Sequence, residues 1–317
     1  MKALYVMLFL LCATVASAAE REVEVVCDWG KISATLCVPD GGAKTAVVIV
    51  AGSGPTDRNG NSGYNLTTWA YKLLSDELVE QGYAVLRYDK RGIGLSTMDM
   101  SKASELTFDD YVDDARRCVD FLRSEGFERV VVAGHSEGGT IALCLASEGC
   151  GVDGITLLSA PGYAIDAILM RQLSAQLMPQ YMGLMVTATD IIQRIKRGEE
   201  VPLERIPKEL ISLFHPSVQR FLATSMAYDP AELMAKVECP VLIISGGRDI
   251  QVSVDNGERL AASSKGAKHR IFPNMSHVLK DAESGDRIEQ LVSVYVNSQL
   301  PLTEGLSTAI TDFLATI

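Results

Sequence analysis

Short apolar runs and longer amphipathic stretches alternate along the chain. Residues 22–27 and 32–38 alternate apolar and polar positions on either side of Asp28-Trp29-Gly30, a pattern that predicts a β-hairpin. Continuous apolar runs follow, and their length and lack of alternation predict strands buried on both faces. These predicted strands cover 45–52, 83–89, 129–134, 154–160, 239–247 and 269–273.

Amphipathic stretches between the apolar runs predict helices. In residues 107–122 the apolar positions recur on one helical face, and Thr107 followed by Asp110 predicts the helix N-terminus. Residues 66–81 predict a second helix, with Asn65 as its N-cap. Because strands and helices alternate, we expect right-handed βαβ crossovers and a mostly parallel sheet.

Residues 161–235 break this alternation, because they contain no strand-like run and are rich in methionine. The helices predicted there cover 164–178, 181–197, 207–214 and 216–227. A helical insertion between two strands, at the carboxyl edge of the sheet, lies where a lid would cover a site. The predicted division is a core over 19–160 and 236–300, a helical cap over 161–235 and a C-terminal tail over 301–317.

The first residues of the chain have the features of a secretory signal peptide. Lys2 precedes a short apolar run, and Ala16-Ser17-Ala18 matches the small-x-small pattern of a cleavage site. The run is too short to span a bilayer by itself. We therefore expect residues 1–18 to be removed, leaving no membrane span in a secreted or periplasmic protein. An uncleaved anchor and a lipoprotein modified at Cys12 are the alternatives.

The composition is that of a globular protein, with 47% hydrophobic and 22% charged residues, and it argues against disorder. The chain has 40 acidic and 29 basic residues, a formal net charge of −11. This acidity argues against a nucleic-acid partner, because the chain repels a phosphate backbone. The cysteines form no C-x-x-C pair and no cluster with zinc spacing, so no metal site is predicted, and any disulfide pairing stays open.

The hexapeptide Gly134-His135-Ser136-Glu137-Gly138-Gly139 carries the strongest chemical signal. It follows the predicted strand 129–134 and precedes a helical run, which is the context of a nucleophile elbow. Such a turn lifts the Ser136 hydroxyl clear of the sheet and aims a helix N-terminus at it. We expect the His135 side chain to point away across the turn.

A serine nucleophile needs a general base, and the base needs a carboxylate that holds its tautomer. His277 lies on a loop after the last predicted strand, at the same sheet edge as the elbow, and is the predicted base. Asp249 follows Ser245-Gly246-Gly247-Arg248, just past another predicted strand, and is the predicted carboxylate. Asp229 and Asp255 are rivals, but one lies in the insertion and the other within the next predicted helix.

Backbone amides must also stabilise the negative charge that develops on the substrate. Residues 50–55 close the first buried strand with glycines, which let the backbone approach a ligand. The amides of Ser53 and Glu137 are the predicted oxyanion donors. The Glu137 side chain has two interpretations, because it can interact favourably with the helix dipole or bind a substrate ammonium group.

Arg58 and Arg91 lie on the loops after the first two buried strands, within Asp57-Arg58-Asn59 and Asp89-Lys90-Arg91. One interpretation is that both form ion pairs that fix their loops. The other is that either arginine binds a substrate carboxylate or phosphate near the pocket.

In this order, the motifs AGSGPTDRNG, RYDKRGIGLS, GHSEGG, GGRD and MSH resemble those of the α/β-hydrolases, over about residues 32–160 and 236–298. The resemblance implies a mostly parallel eight-stranded sheet flanked by helices, with a helical cap inserted after strand six. It also implies hydrolysis through an acyl-enzyme, without a metal or an organic cofactor. The order Ser136, Asp249, His277 is the triad order of this fold. Ala51 departs from the many relatives that have histidine before the oxyanion glycine, and this argues against a lipase.

These observations predict a serine esterase that cleaves small carboxylic esters through a Ser-His-Asp triad. A serine-aminopeptidase-like or prolyl-oligopeptidase-like enzyme acting on small peptides is the alternative, since it uses the same triad. An acyl-CoA thioesterase is disfavoured by the predicted export and the net acidity. The sequence leaves the acyl length, the leaving group and the oligomeric state open.

Overall fold

The computed structural model describes residues 19–63 and 66–317. The predicted signal peptide over residues 1–18 lies outside this range and stays a prediction, and Asn65 lies outside it as well. None of the helices formed by the described residues combines the length and apolar character needed to cross a membrane.

A central β-sheet organises the fold. The strands, in chain order, are β1 (Ala19–Cys27), β2 (Gly30–Val38), β3 (Thr45–Val50), β4 (Asn61–Ser62), β5 (Leu66–Thr67), β6 (Ala84–Tyr88), β7 (Thr97–Met98), β8 (Arg129–His135), β9 (Gly154–Leu158), β10 (Val241–Gly246) and β11 (Lys268–Phe272). The order across the main sheet is β1-β2-β6-β3-β8-β9-β10-β11, with β7 paired to β2. The pairs made by β2 are antiparallel, and the remaining pairs of this sheet are parallel. This confirms the mostly parallel sheet with eight strands in line.

Helices connect the parallel strands and cover both faces of the sheet. The α-helices, in chain order, are α1 (Ala70–Glu80), α2 (Phe108–Ser124), α3 (Glu137–Ser147), α4 (Ile165–Leu177), α5 (Met182–Lys196), α6 (Ile211–Phe214), α7 (Pro216–Ser225), α8 (Pro230–Met234), α9 (Val254–Ser263), α10 (Arg287–Ser293) and α11 (Leu306–Leu314). Short 3₁₀ helices cover Met100–Glu105, Leu203–Arg205 and Lys208–Leu210.

The central strand β3 shows why the predicted strands are continuously apolar. Ala46, Val48 and Val50 pack on one face of the sheet, in the cluster that contains the buried residues of α2 and α3. Val47 and Ile49 pack on the other face, with the buried residues of α1 and α11. Successive side chains of a strand point to opposite faces, so a strand covered on both faces requires apolar residues at every position.

The start of the helix predicted over 66–81 is wrong, because α1 begins only at Ala70. Leu66–Thr67 instead pairs with β4 as the short strand β5. Thr68 ends this hairpin, since its hydroxyl donates to the Gly60 carbonyl and accepts from the Ala70 amide. The local hydrogen bonds of the hairpin therefore replace the extra helical turn that the apolar periodicity predicted.

The segment assigned to a C-terminal tail contains the helix α11. Leu306, Ile310 and Phe313 recur on one face of this helix and are buried in the same cluster as α1. An amphipathic helix of this kind is stabilised by packing its apolar face. The last residues of the chain therefore complete one layer of the core.

The helices α4 to α7 lie between β9, the sixth of the eight in-line strands, and β10, as predicted for an inserted cap. They have an apolar cluster of their own, which includes Leu173, Ile192 and Phe214. Two helices of the segment also reach the sheet core, because Phe221 of α7 packs against its cluster and Met234 of α8 is buried in it. The segment after β9 thus has its own centre of packing and contacts the core through α7 and α8.

We expect Thr107→Ala to lower the free energy of unfolding by about 1 kcal/mol, because Thr107 and Asp110 form a reciprocal capping box at the start of α2. Urea unfolding of the two proteins measures the difference. The matched control is Thr308→Ala, which removes an exposed threonine from the interior of α11. Equal losses of stability in the two variants would contradict the capping role.

Candidate active site

The turn between β8 and α3 holds Ser136 in a strained backbone conformation. Its φ is 52° and its ψ is −122°, values that a non-glycine residue rarely adopts. The turn is also tightly packed, since a Cβ on Gly134 would lie 2.2 Å from the Gly138 carbonyl oxygen. A Cβ on Gly138 would lie 2.2 Å from the Val50 carbonyl oxygen at the end of β3. Glycine at both positions therefore permits the sharp strand–turn–helix geometry that the hexapeptide predicts.

His277 and Asp249 meet at the carboxyl edge of the sheet. The distance between His277 Nδ1 and Asp249 Oδ2 is 2.8 Å, and both side chains are buried. The other carboxylate oxygen of Asp249 accepts hydrogen bonds from the amides of Gln251 and Val252, each at 2.8 Å. Burial alone would raise the pKa of Asp249, but His277 and the two amides hold it below its ordinary value. An ionised Asp249 keeps the imidazole proton on Nδ1 and leaves the lone pair of Nε2 available.

Ser136 and His277 line one small cavity of about 130 Å³, termed the inner cavity, together with Gly52, Tyr71 and His135. The hydroxyl of Ser136 makes no hydrogen bond to His277 within the described residues. In unliganded sites this contact is often long and shortens when substrate binds. The structure thus brings the predicted nucleophile and base to the same cavity, with the predicted carboxylate behind the base.

The backbone amides of Ser53 and Glu137, the predicted oxyanion donors, donate to no protein acceptor within the described residues. Glu137 is the first residue of α3, so its amide has no acceptor inside the helix. Among residues 19–63 and 66–317, the Ser53 amide likewise donates to no protein acceptor. Both residues line a cavity that also contains Ser136. Both amides therefore remain candidates for the oxyanion donors that the sequence predicts.

The expectation that His135 points away from the site is wrong. Its ring lies 4.8 Å from the ring of His277, centroid to centroid, and lines the inner cavity. His135 Nε2 lies 2.7 Å from the His277 carbonyl oxygen, and His135 Nδ1 lies 2.8 Å from the Tyr71 hydroxyl. Since a carbonyl can only accept, Nε2 carries the proton and Nδ1 accepts from Tyr71. Burial, followed by the charge of His277, lowers the pKa of His135 to about 3, so this ring stays neutral.

Lys90 and Glu137 form a second pair of titratable groups beside the nucleophile. Lys90 is buried and donates to the Gly52 carbonyl oxygen at 2.5 Å. Burial lowers the pKa of Lys90, and the charge of Glu137 opposes this lowering. Burial likewise raises the pKa of Glu137 and Lys90 opposes it, although the two side chains are not in salt-bridge contact. The Glu137 carboxylate has no hydrogen-bond partner within the described residues.

A second cavity, of about 260 Å³ and termed the cap-side cavity, lies between the elbow and the cap. Ser53, Ser136 and Gln251 line both this cavity and the inner cavity. The other walls of the cap-side cavity include Phe108, Glu137, Tyr163, Leu169 and Tyr228. The nucleophile therefore lies between two spaces, and the larger one combines aromatic and aliphatic walls with one carboxylate.

The contacts of Arg58 and Arg91 favour the ion-pair interpretation over substrate binding. Arg58 is buried and binds Asp89 at 2.8 Å and Glu22 at 2.6 Å. Arg91 is buried and binds Asp114 at 2.6 Å. Neither arginine lines the inner cavity or the cap-side cavity. Their guanidinium donors are used to fix the loops after β3 and β6, because a buried charge requires a partner.

The rival carboxylates have other partners. Asp229 caps α8 and pairs with Arg259 at 2.9 Å. Asp255 pairs with Arg171 at 2.7 Å. Asp249 is therefore the carboxylate of the three that contacts a histidine. Within the described residues, no group of three or more histidine, cysteine and acidic side chains is arranged to hold a metal ion.

The positions of Tyr71 and Lys90 beside the elbow loop were not predicted from the sequence. Tyr71 belongs to the buried face of α1, where an aromatic residue indicates only core packing. Lys90 stands in the RYDKRGIGLS motif, but its spacing gave no sign that its ammonium group reaches Gly52. The contact between Lys90 and Gly52 depends on how the loops after β3 and β6 pack together, and the sequence does not give that packing.

A family model described as serine aminopeptidase, S33, matches residues 60–283, well over half of the chain. Among curated proteins, the chain is 27% identical over 273 residues to the esterase EstD of Thermotoga maritima. The match covers 84% of this chain and 61% of EstD, so the chain spans less than two thirds of that relative. It is also 24% identical over 251 residues to a proline iminopeptidase of Saccharolobus solfataricus, covering 69% of this chain and 78% of that protein.

The solved structures with similar folds include an esterase of Pyrococcus furiosus, with a TM-score of 0.60 and 18% sequence identity. The alignment covers 95% of this chain and 91% of the esterase. A likeness at this identity establishes the fold, with its mostly parallel sheet and flanking helices.

We expect His135→Gln to make the free energy of unfolding less dependent on pH in mild acid. In the folded protein His135 stays neutral down to about pH 3, whereas an unfolded histidine is protonated below about 6.5. The unfolded state therefore binds more protons between these values, and stability falls as the pH falls. Removing the ring should reduce this slope by up to about 1.4 kcal/mol per pH unit.

Urea unfolding at pH 6, 5 and 4 measures this slope. The matched control is His215→Gln, which replaces an exposed histidine. Parallel curves for the wild type and His135→Gln would contradict the buried neutral state of His135.

Proposed function

The chain belongs to the serine aminopeptidase, S33 family of α/β-hydrolases, and from this premise we propose that it is a serine hydrolase that cleaves small carboxylic esters. The observation that carries the proposal is the shared cavity of Ser136 and His277, with Asp249 bound to His277 Nδ1 at 2.8 Å. The relationship to the Thermotoga maritima esterase supports ester hydrolysis as the reaction.

In the first half of the proposed reaction, His277 Nε2 takes the proton of the Ser136 hydroxyl as Ser136 Oγ attacks the ester carbonyl carbon. The electron pair of the carbonyl moves to its oxygen, and the amides of Ser53 and Glu137 stabilise the oxyanion. The intermediate then collapses and expels the alcohol, which takes its proton from His277. Asp249 stabilises the imidazolium that exists between the two transfers.

In the second half, water replaces the alcohol. His277 takes a proton from this water, the hydroxide adds to the acyl carbon, and a second oxyanion forms in the same place. Collapse breaks the bond to Ser136 Oγ, which regains a proton from His277, and the carboxylic acid is released. No step in this cycle needs a group beyond the residues named and one water molecule.

The sizes of the two cavities support a small substrate. Spaces of about 130 and 260 Å³ on either side of Ser136 suit a short acyl group and a small alcohol. The predicted signal peptide over residues 1–18 adds the proposal that the enzyme acts in the periplasm or outside the cell.

Ser136→Ala is expected to reduce the hydrolysis of p-nitrophenyl acetate by roughly 10³-fold or more, because the nucleophile is lost while binding and the amides remain. Labelling with a fluorophosphonate probe should be lost with it. Ser147→Ala, at the opposite end of α3, is the matched control and should keep both properties. Ester hydrolysis near the wild-type rate in Ser136→Ala would refute the proposed mechanism.

A peptidase is the second candidate, because the Glu137 carboxylate lines the cap-side cavity without a hydrogen-bond partner among the described residues. A carboxylate in this place could bind the ammonium group of an aminoacyl substrate. The family description and the relationship to a proline iminopeptidase favour the same candidate. The two functions share the nucleophile and differ in whether the α-amino group contributes to binding.

Methyl propionate and alanine methyl ester differ only by the α-amino group and separate the two functions. If the protein is an esterase, we expect kcat/KM for methyl propionate to equal or exceed kcat/KM for alanine methyl ester. Glu137→Gln should then change both values by the same factor. For a peptidase, Glu137→Gln should lower kcat/KM for alanine methyl ester alone by roughly 10-fold or more, since a charged hydrogen bond is lost. Acid release in a pH-stat measures both rates.

Glu148→Gln is the matched control, because it neutralises an exposed glutamate that follows the last residue of α3. Neither substrate should respond to this variant. A selective loss of alanine methyl ester hydrolysis in Glu137→Gln would transfer the assignment from esterase to peptidase.

A further inference from the structure

The loop after β3 is held by a buried cation that the proposed reaction does not use. Lys90 follows β6, and its side chain donates to the Gly52 carbonyl oxygen at 2.5 Å. Only 5% of Lys90 is exposed, so its ammonium group has given up most of its hydration. Burying a charge is costly unless strong hydrogen bonds and a counter-charge compensate it. The position of Lys90 therefore calls for an explanation in terms of the carbonyl that it contacts.

The carbonyl of Gly52 and the amide of Ser53 belong to the same peptide unit. This unit is planar, and in its trans form the C=O and N–H bonds point in opposite directions. A hydrogen bond that fixes the carbonyl oxygen of Gly52 therefore fixes the direction of the Ser53 N–H bond. A cation on the carbonyl also polarises the amide, which makes its N–H a stronger donor.

The preceding peptide unit is held from the other side. The Gly52 amide donates to the Tyr71 hydroxyl at 3.1 Å, and Tyr71 donates to His135 Nδ1 at 2.8 Å. His135 Nε2 in turn donates to the His277 carbonyl oxygen at 2.7 Å. The two peptide units that flank Gly52 are thus fixed independently, one by Lys90 and one by a chain of hydrogen bonds that ends on the loop of His277.

The close packing of Gly52 against the elbow makes its orientation important. A Cβ on Gly52 would lie 3.1 Å from the Cβ of Ser136 and 3.2 Å from His135 Nδ1. The peptide unit of Gly52 and Ser53 therefore lies directly beside the nucleophile, where a small rotation would redirect the Ser53 amide. Misplacing a catalytic group by about 1 Å can cost on the order of 10²-fold in rate.

We propose that Lys90 is a positioning residue, which aims the Ser53 amide at the oxyanion by holding the Gly52 carbonyl. The proposal rests on the ester-hydrolase function and deepens it. The charge of Glu137 favours the charged form of Lys90 without a salt bridge between the two side chains, and the Glu137 amide is the second proposed oxyanion donor. Lys90 thus holds the peptide unit that carries one of the two proposed oxyanion donors.

A trifluoromethyl ketone tests this role separately from substrate binding. Ser136 Oγ adds to the ketone carbon, its proton passes to His277, and the carbonyl electron pair becomes an oxyanion that resembles the transition state. Lys90→Met removes the hydrogen bond with little change in length. We expect kcat for p-nitrophenyl acetate to fall roughly 10- to 100-fold with KM changed by less than about threefold. The inhibition constant of the ketone should rise by the same factor as kcat/KM falls.

Lys280→Met is the control for the loss of a buried lysine. Lys280 is fully buried and its ammonium group donates to the Asn297 carbonyl oxygen, with no hydrogen bond to residues 50–55 within the described residues. Lys280→Met should lower the free energy of unfolding. It should not raise the ratio of the ketone inhibition constant to the KM of the ester. If Lys90→Met fails to fold, Lys90→Gln retains an uncharged donor and should show the same effect at smaller size.

The outcomes separate the two levels of the proposal. In the first outcome, the wild type hydrolyses the ester and binds the ketone, and the folded Lys90 variant keeps the wild-type kcat and ketone affinity. The positioning role is then wrong, and the proposed function stands. In the second outcome, KM rises in the Lys90 variant and the ratio of the ketone inhibition constant to KM is unchanged. Lys90 then has only a structural role, and the positioning proposal is again wrong. If the wild type neither hydrolyses esters nor binds the ketone, both proposals fail.

Discussion

The close approach of the β8–α3 turn to the end of β3 is the constraint on which the site depends. Gly138 lies so near the Val50 carbonyl that a single Cβ would overlap it, and Gly134 lies as near to Gly138. This packing forces Ser136 into its positive φ and brings the loop after β3 alongside the nucleophile. The free energy for maintaining such strain comes from the buried strands on both sides, because a locally unfavourable conformation persists only where its surroundings determine it.

Several ionisable groups around this turn have pKa values that their surroundings shift away from the ordinary values. Asp249 is held ionised by His277 and two amides, whereas His135 is held neutral by burial and by the neighbouring imidazole. Lys90 and Glu137 oppose each other's pKa shifts. A cluster of perturbed pKa values around one cleft is typical of catalytic sites, although structural ion pairs also perturb pKa values. The Arg58–Asp89 and Arg91–Asp114 pairs illustrate the structural case, since they fix loops outside both cavities.

Much of the fold was predictable because its determinants are local. The strands β3, β6, β8, β9 and β10 follow from continuous apolar runs, and α2 follows from its apolar stripe and the capping box at Thr107. The start of α1 was not predictable from periodicity, because the β4–β5 hairpin and the Thr68 hydroxyl compete for the same residues. The positions of Ser136, Asp249 and His277 at one sheet edge follow from strand ends in a parallel sheet. The side-chain directions of His135 and Lys90 do not, since they depend on contacts between loops far apart in sequence.

The neutral state of His135 also bears on the proposed base. Two imidazole rings whose centroids lie 4.8 Å apart would repel each other by about 3.5 kcal/mol if both were charged, at an effective dielectric constant near 20. A protonated His135 would therefore oppose the imidazolium that His277 becomes when it takes the serine proton. Because His135 donates from Nε2 to the His277 carbonyl and accepts at Nδ1 from Tyr71, both ring nitrogens are satisfied without a charge. The same hydrogen bonds that connect the loops of Gly52 and His277 thus keep the neighbouring ring from competing for the proton that the mechanism requires.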